Sequence, residues 1–108
     1  MGEQTVTRDE RAGEEAADPN RLLPDEDPSS HDPEDAEHWL EVYDELLDFK
    51  RKMLTIAEEA LDGMRDKPAR REVVDTDRRV LRAECDRFEK RLAFWRNRLA
   101  AARDGQGP

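Results

Sequence analysis

The sequence predicts an all-α protein in which two long helices form an antiparallel coiled-coil hairpin behind a disordered acidic tail. Two observations support this fold class: an apolar repeat near the C-terminus and an unequal division of charge between the two halves of the hairpin. We expect the tail to cover residues 1–32, the hairpin residues 33–103 and a disordered C-terminus residues 104–108. Two hairpins are expected to pair into a four-helix bundle.

The first 33 residues have the composition of a disordered segment. They hold ten acidic and three basic residues, four of the six prolines and no aromatic residue. Such a segment buries too little apolar surface to offset the entropy lost on ordering. Its one apolar pair, Leu22-Leu23, is a candidate docking motif, and the simpler interpretation is two incidental leucines in a solvated tail.

The first helix is predicted over about residues 33–65. Asp32 is placed to act as N-cap, Pro33 suits the first helical position, and Glu34 and Asp35 follow in the first turn. Gly63 and Pro68 bracket the end of the helix. Its apolar residues form two adjacent stripes, and so wide an apolar face predicts contact with more than one neighbour. The first stripe is Trp39, Val42, Leu46, Phe49, Met53, Ile56 and Ala60.

The second stripe is interrupted by Lys50 and is predicted to be the interaction surface. We expect the second helix to leave this stripe uncovered, so that it becomes the core of a homodimer. Docking of a different protein partner is the alternative use of the same residues. The predicted surface is Leu40, Tyr43, Leu47, Leu54, Leu61 and Met64.

The second helix is predicted over about residues 69–103, because apolar residues there alternate four and three apart. That 3.5-residue repeat is typical of a coiled-coil seam, which needs a facing helix. Thr76 offers a later start as an N-cap, but Val74 extends the seam one heptad back and favours the earlier one. The seam is Leu81, Cys85, Phe88, Leu92, Trp95, Leu99 and Ala102.

Charge supplies an independent indication that these two helices pair. Residues 34–66 carry eleven acids and four bases, whereas residues 67–103 carry six acids and twelve bases. Folding back near Pro68 places residues opposite each other when their numbers sum to about 135, with Trp39 near Trp95. Each exposed ion pair contributes only about 0.2–1 kcal/mol. The charges therefore set the register more than they set the stability.

Composition and motifs favour a non-catalytic protein in the cytoplasm. The net charge is −9, the sequence has no apolar run long enough for a membrane helix, and its N-terminus does not resemble a secretory signal. Cys85 is the single cysteine and lies in the seam, where it serves as a small apolar residue. Asp35-x-x-His38 is the best metal-like pattern, but arginines are expected at its level on the second helix. We therefore expect no catalytic, cofactor-binding or metal-binding residues and no cofactor.

The basic side of the second helix is a candidate nucleic-acid surface, although the net negative charge opposes binding to a polyanion. In outline, the hairpin resembles the coiled-coil domains of factors that insert into RNA polymerase. Those domains carry acidic residues at the tip, whereas the tip here, residues 63–71, is predominantly basic. The candidate basic patch is Arg70, Arg71, Arg78 and Arg79.

The sequence thus predicts a protein–protein interaction module, a small adaptor or regulator that self-associates through its first helix. The alternative function is a small transcription or nucleic-acid-associated regulator that uses the basic face of the second helix or the tip. The expected partner is a second copy of the chain or an unidentified protein, with nucleic acid as a secondary candidate and no membrane.

Overall fold

A computed structural model of the chain describes Asp18 and residues 20–105, and this part consists of two α-helices and a short N-terminal segment. Helix α1 spans Pro33–Asp62 and helix α2 spans Pro68–Gly105. The two helices pack against each other as an antiparallel pair, which confirms the predicted all-α hairpin. The predictions for residues 1–17, Pro19 and residues 106–108 lie outside the described residues.

Both ends of α1 form as the capping residues predict. The Oδ1 atom of Asp32 accepts a hydrogen bond of 2.9 Å from the Glu34 amide, and Pro33 occupies the first turn. At the other end, the Gly63 amide donates to the Ala60 carbonyl at 3.2 Å and closes the helix. The helix therefore ends at Asp62, three residues before the predicted boundary at 65.

Helix α2 begins at Pro68, where a proline ring is preorganised for the first helical turn. The Arg71 amide donates to the Lys67 carbonyl at 2.9 Å, which fixes that first turn. The helix continues to Gly105, so Asp104 and Gly105 are helical rather than part of the predicted disordered C-terminus. Arg103 lies in the last turn, where a cation favours the helix dipole.

The seam predicted on α2 is confirmed by burial. Ala102, its last member, is half-buried. Each of the other six exposes less than a tenth of its surface, and Trp95 exposes none. The buried members are Leu81, Cys85, Phe88, Leu92, Trp95 and Leu99.

The predicted interaction surface is wrong, because most of its residues lie on the face of α1 that packs against α2. Tyr43, Leu47 and Leu61 are buried between the helices, so they are not an exposed docking surface. Three other members of the predicted surface are half-buried: Leu40, Leu54 and Met64. The stripe predicted to face outward is therefore the inner seam of the hairpin.

Lys50 explains why this stripe stays in the seam. The Lys50 Nζ atom lies 3.2 Å from Glu84 Oε2 on α2, and both side chains are largely buried. A charge at a seam position is tolerated when a partner satisfies it. The three-and-four spacing of the stripe therefore continues through Lys50 instead of ending there.

The predicted helix register is confirmed at the middle of the hairpin. Lys50 pairs with Glu84, and their numbers sum to 134. Arg51 pairs with Glu89 instead, with 2.7 Å between Nη2 and Oε1, and these numbers sum to 140. At the open end, Trp39 and Trp95 belong to one buried cluster, as predicted.

Other ion pairs depart from the predicted sum of 135. Glu58 pairs with Arg82 at 3.4 Å, where the numbers sum to 140. At the open end, Arg91 and Arg98 turn toward the segment that precedes α1 instead of toward the acidic start of that helix.

That segment, residues 20–32, is here named the N-terminal arm, and it packs against the open half of the hairpin. Leu23 contacts the buried cluster, and Glu26 is buried with its side chain fully shielded from solvent. The prediction that the disordered tail extends through residue 32 is therefore wrong for residues 20–32. Composition indicated a solvated segment, but specific donors on both helices satisfy its buried acid.

A leucine pair tests the seam. We expect Leu92→Ala to lower the free energy of unfolding by about 2–4 kcal/mol, because it removes a side chain that is buried between the helices. The same change at Leu22, which is 37% exposed, should shift it by less than about 0.5 kcal/mol. Urea unfolding followed by circular dichroism measures both. Equal losses for the two variants would contradict the assigned core.

Candidate interaction surface

The open end of the hairpin is organised around the carboxylate of Glu26. Its Oε2 atom accepts hydrogen bonds from Arg91 Nη2 at 2.6 Å, Arg91 Nε at 3.1 Å and Trp95 Nε1 at 2.7 Å. Its Oε1 atom accepts from the Leu23 amide at 2.9 Å and from the Tyr43 hydroxyl. Five donors from the arm, α1 and α2 thus converge on one buried acid.

This cluster shifts the ionisation of its members. Burial alone would raise the pKa of the Glu26 carboxyl, but hydrogen bonds from Tyr43, the Leu23 amide, Trp95 and Arg91 outweigh it and hold the pKa below its ordinary value. Burial, followed by the hydrogen bond to the Glu26 carboxylate, raises the pKa of the Tyr43 hydroxyl. Glu26 is therefore a carboxylate and Tyr43 a neutral donor across the physiological pH range.

Further contacts hold the arm on α2. Arg98 Nη1 donates to the Ser30 carbonyl at 2.6 Å, and the guanidinium groups of Arg91 and Arg98 lie over the Phe94 ring. Arg87 is also buried, with its guanidinium 4.7 Å from the centre of the Phe88 ring. Burial, and then the nearby charge of Arg21, lowers the pKa of Arg87. The basic side of α2 at this end is therefore covered by the arm.

The arm covers only half of one face of the hairpin. Residues 80, 84, 87, 91, 94 and 98 follow each other at helical spacing and so share one side of α2. The arm bonds to Arg91 and Arg98 of that side, near the open end. Val80 and Glu84 of the same side line a groove nearer the tip.

The first stripe of α1 is covered at the open end and exposed nearer the tip. Trp39 is buried, and Val42 and Leu46 are half-buried and packed against the core cluster. Beyond them, Phe49 is 59% exposed and Ile56 is 65% exposed. The stripe that the sequence led us to expect beneath α2 is therefore the one that presents apolar side chains to solvent.

The uncovered half of this face is here named the tip groove, an open cleft of about 690 Å³ between the helices. A smaller apolar cleft beside it extends to Val73, which is 63% exposed. Exposed apolar surface that is continuous along a cleft is typical of an interaction site. The main lining residues are Met53, Ile56, Ala60, Val74, Val80 and Glu84.

The candidate basic patch does not stand as a free cluster of positive charge. Arg78 Nη2 lies 2.8 Å from Asp75 Oδ1, and Arg79 Nε lies 3.4 Å from Asp75 Oδ2. Arg71 donates to the Leu61 carbonyl at 3.4 Å and so caps the end of α1. Arg70 lies beside the apolar residues of the smaller cleft. Local acids and carbonyls therefore engage three of the four arginines.

The described residues present few other chemical groups. Cys85 is buried in the seam as a free cysteine, and burial raises the pKa of its thiol. Within residues 20–105, no three histidine, cysteine or acidic side chains come together as ligands for an ion. Neither helix in that range has the length of apolar sequence that a bilayer crossing requires.

The chain matches no protein-family model, no curated protein and no solved structure.

The sequence contained a weak signal for the Glu26 cluster. Arg87, Arg91 and Arg98 follow each other four and seven residues apart on α2, on one side of the helix with Phe94. Leu23 and Glu26 in the arm supply an apolar residue and an acid at a spacing of three. Only the folded chain shows that these two sets meet.

The Glu26 cluster is tested by an isosteric change. We expect Glu26→Gln to lower the free energy of unfolding by about 3 kcal/mol, because it leaves the buried Arg91 guanidinium without its counterion. Asp25→Asn is the matched control, since Asp25 is exposed and asparagine tolerates its positive φ of 68°. Urea unfolding followed by tryptophan fluorescence reports both variants. A loss below about 0.5 kcal/mol for Glu26→Gln would show that the cluster does not hold the arm.

The same cluster gives the protein an acid-sensitive component of stability. The pKa of Glu26 is lower in the folded state than in the unfolded chain, so its contribution is complete above the unfolded value of about 4.3. That contribution is lost as the pH falls through the folded value. We expect unfolding free energies measured from about pH 6 to pH 3 to fall more steeply for the wild type and Asp25→Asn than for Glu26→Gln. Parallel pH profiles for all three proteins would contradict this assignment.

Proposed function

We propose that this protein is a non-catalytic interaction module that self-associates through the exposed stripe of α1 and the tip groove. The observation that carries the proposal is the abrupt change in burial along one stripe, from half-buried Leu46 to Phe49 at 59% exposed. The apolar residues of this stripe are packed at the open end of the molecule and exposed nearer the tip. A helix from another molecule would cover the exposed residues in the same way.

Physical considerations support a helical partner for this surface. Phe49, Met53 and Ile56 are large apolar side chains on one face of α1. Transferring such side chains from water into an apolar contact is favourable. A two-helix hairpin has little apolar area to bury internally, so covering this stripe adds a large increment to a small core. Symmetric dimers are the commonest way in which a single chain covers such a face.

The side chains around the groove favour binding over chemistry. Its lining is apolar apart from Thr76, Asp77 and Glu84, and Glu84 is engaged by Lys50. General acid–base or nucleophilic catalysis needs converging groups with a path to substrate, and this set supplies none. We therefore retain a non-catalytic adaptor or regulator, acting in the cytoplasm, as the proposed role.

The arginines of the candidate basic patch lend less support to the nucleic-acid alternative. Asp75 pairs with both Arg78 and Arg79, and Arg71 donates to the Leu61 carbonyl at the end of α1. Binding to nucleic acid gains free energy when unpaired lysines or arginines displace the counterions condensed on its phosphates, and paired arginines contribute little of that free energy.

Adjacent positions on α1 test the proposed function. We expect Ile56→Glu to raise the dimer dissociation constant by about tenfold or more, because it places a charge in the apolar contact of each copy. Thr55→Glu introduces the same residue one position away, where the Thr55 side chain points away from the stripe and donates to the Arg51 carbonyl at 3.1 Å. Sedimentation velocity over a range of protein concentrations measures self-association, with circular dichroism as a check on helicity.

The wild type and Thr55→Glu should dimerise, while Ile56→Glu should shift to the monomer with its helicity retained. A wild type that stays monomeric at all concentrations, or equal masses for all three proteins, would contradict self-association through α1.

A further inference from the structure

We infer that the occupant of the tip groove is a second copy of this chain, with its α1 antiparallel to the first α1 and the contact centred between Leu54 and Thr55. The inference rests on the proposed self-association and adds to it the orientation and register of the partner. It is argued from the order of apolar and charged residues along the exposed part of α1.

The exposed stripe has the spacing of a second coiled-coil seam. Phe49, Met53, Ile56 and Ala60 follow each other four, three and four residues apart, which is the alternation that a facing helix requires. In an antiparallel pair centred between residues 54 and 55, Phe49 lies opposite Ala60 of the partner subunit. Met53 then lies opposite Ile56 of the partner subunit. The outer layers thus set a large side chain against a small one, and the inner layers pair two side chains of similar size, which favours close packing.

Charges beside this seam select the register. Glu45, Lys52 and Glu59 lie along its outer edge at seven-residue intervals. Edge positions that face each other are offset by two residues from the core layers. In the register centred between residues 54 and 55, Lys52 therefore faces Glu59 of the partner subunit, and symmetry creates the pair twice. Opposite charges at the edge of a coiled-coil seam determine partner orientation and register.

The neighbouring register is disfavoured by the same residues. A shift of the partner by one heptad toward the open end would centre the contact at Arg51 and bring Lys52 opposite Lys52 of the partner subunit. Glu45 would then lie opposite Glu59 of the partner subunit, so like charges would meet along the whole edge. That register would also require Val42 and Leu46, which are already half-buried against the core cluster.

A parallel arrangement lacks suitable charge partners. In parallel coiled coils the outer-edge charges of one helix face the inner-edge positions of the other, which here include Lys50 and Ala57. Lys50 is engaged with Glu84 in the hairpin seam, and Ala57 is buried there. Lys52 and Glu59 would therefore gain nothing from a parallel partner.

Both residues of the proposed pair are available in the hairpin. The Lys52 Nζ atom lies 2.8 Å from Asp48 Oδ2, but the two side chains are 72% and 67% exposed, so this pair contributes little. Glu59 is exposed and forms no ion pair with another residue of the described segment. A partner subunit would therefore replace mainly contacts of these side chains with solvent, and few contacts within the hairpin.

Charge reversal tests the register. We expect Lys52→Glu and Glu59→Lys each to raise the dissociation constant by about tenfold, since two symmetry-related pairs change from attractive to repulsive. The double variant should recover wild-type affinity, and an equimolar mixture of the two single variants should form a heterodimer. Glu41→Lys is the matched control, because Glu41 is exposed on the same helix but outside the overlap.

A zero-length carbodiimide cross-link adds a direct measurement on the wild type. We expect an intermolecular amide between Lys52 and Glu59, identified by mass spectrometry of the dimer band. Neither the cross-link nor the rescue in the double variant would be produced by a change in the stability of the hairpin alone.

The outcomes separate the register from the proposed function. A wild-type dimer that is indifferent to both charge reversals would overturn the register and leave self-association through α1 intact. A wild type that remains monomeric would overturn both. If the wild type is monomeric and dimerises only after removal of residues 1–17, that segment of the same chain occupies the groove. This result would overturn the inference.

Discussion

A carboxylate that is withdrawn from water must recover its lost hydration from neighbouring donors, and Glu26 does so with groups from three parts of the chain. The Arg91 guanidinium supplies charge, while Trp95, Tyr43 and the Leu23 amide supply directed hydrogen bonds. Such an acid is costly to bury unless every donor is in place. The arrangement therefore depends on the register of α1 against α2 and on the position of the arm at the same time.

The arm divides one face of the hairpin into two regions with different environments. Near the open end, Arg91 and Arg98 hold the arm over the aromatic residues of α2. Nearer the tip, the same face carries large apolar side chains that remain in contact with solvent. The proposed contact surface and the packing of the arm are therefore parts of one continuous face.

Local rules were sufficient for the helices and for the seam of α2. The N-cap at Asp32, the proline at position 68 and the three-and-four spacing from Leu81 to Leu99 each determine structure within one or two helical turns, and all formed as predicted. The choice between the two stripes of α1 was wrong because Lys50 was taken as a break. Glu84, which satisfies Lys50, is 34 positions away in the chain, and only the folded pair shows that this lysine belongs in the seam.

The arm could not be predicted from composition for a related reason. Its many acids and prolines are typical of disordered sequence, and composition averages over residues without identifying the one acid that has a full set of donors. The predicted register, with facing residue numbers that sum to about 135, placed Arg87, Arg91 and Arg98 opposite the acidic start of α1. In the structure, Arg91 and Arg98 contact the arm, and Arg87 is buried over Phe88 with a pKa lowered by burial.

The partners of Glu26 are widely separated in the chain, so its hydrogen bonds depend on the pairing of the two helices. Glu26 lies 65 residues from Arg91 and 69 residues from Trp95. Until both helices have paired in register, the donors do not converge, and burying the acid would carry its desolvation cost without compensation. The arm therefore finds its complete set of donors only on a hairpin whose helices are paired in register. The docked arm thus indicates that α1 and α2 are paired in the correct register.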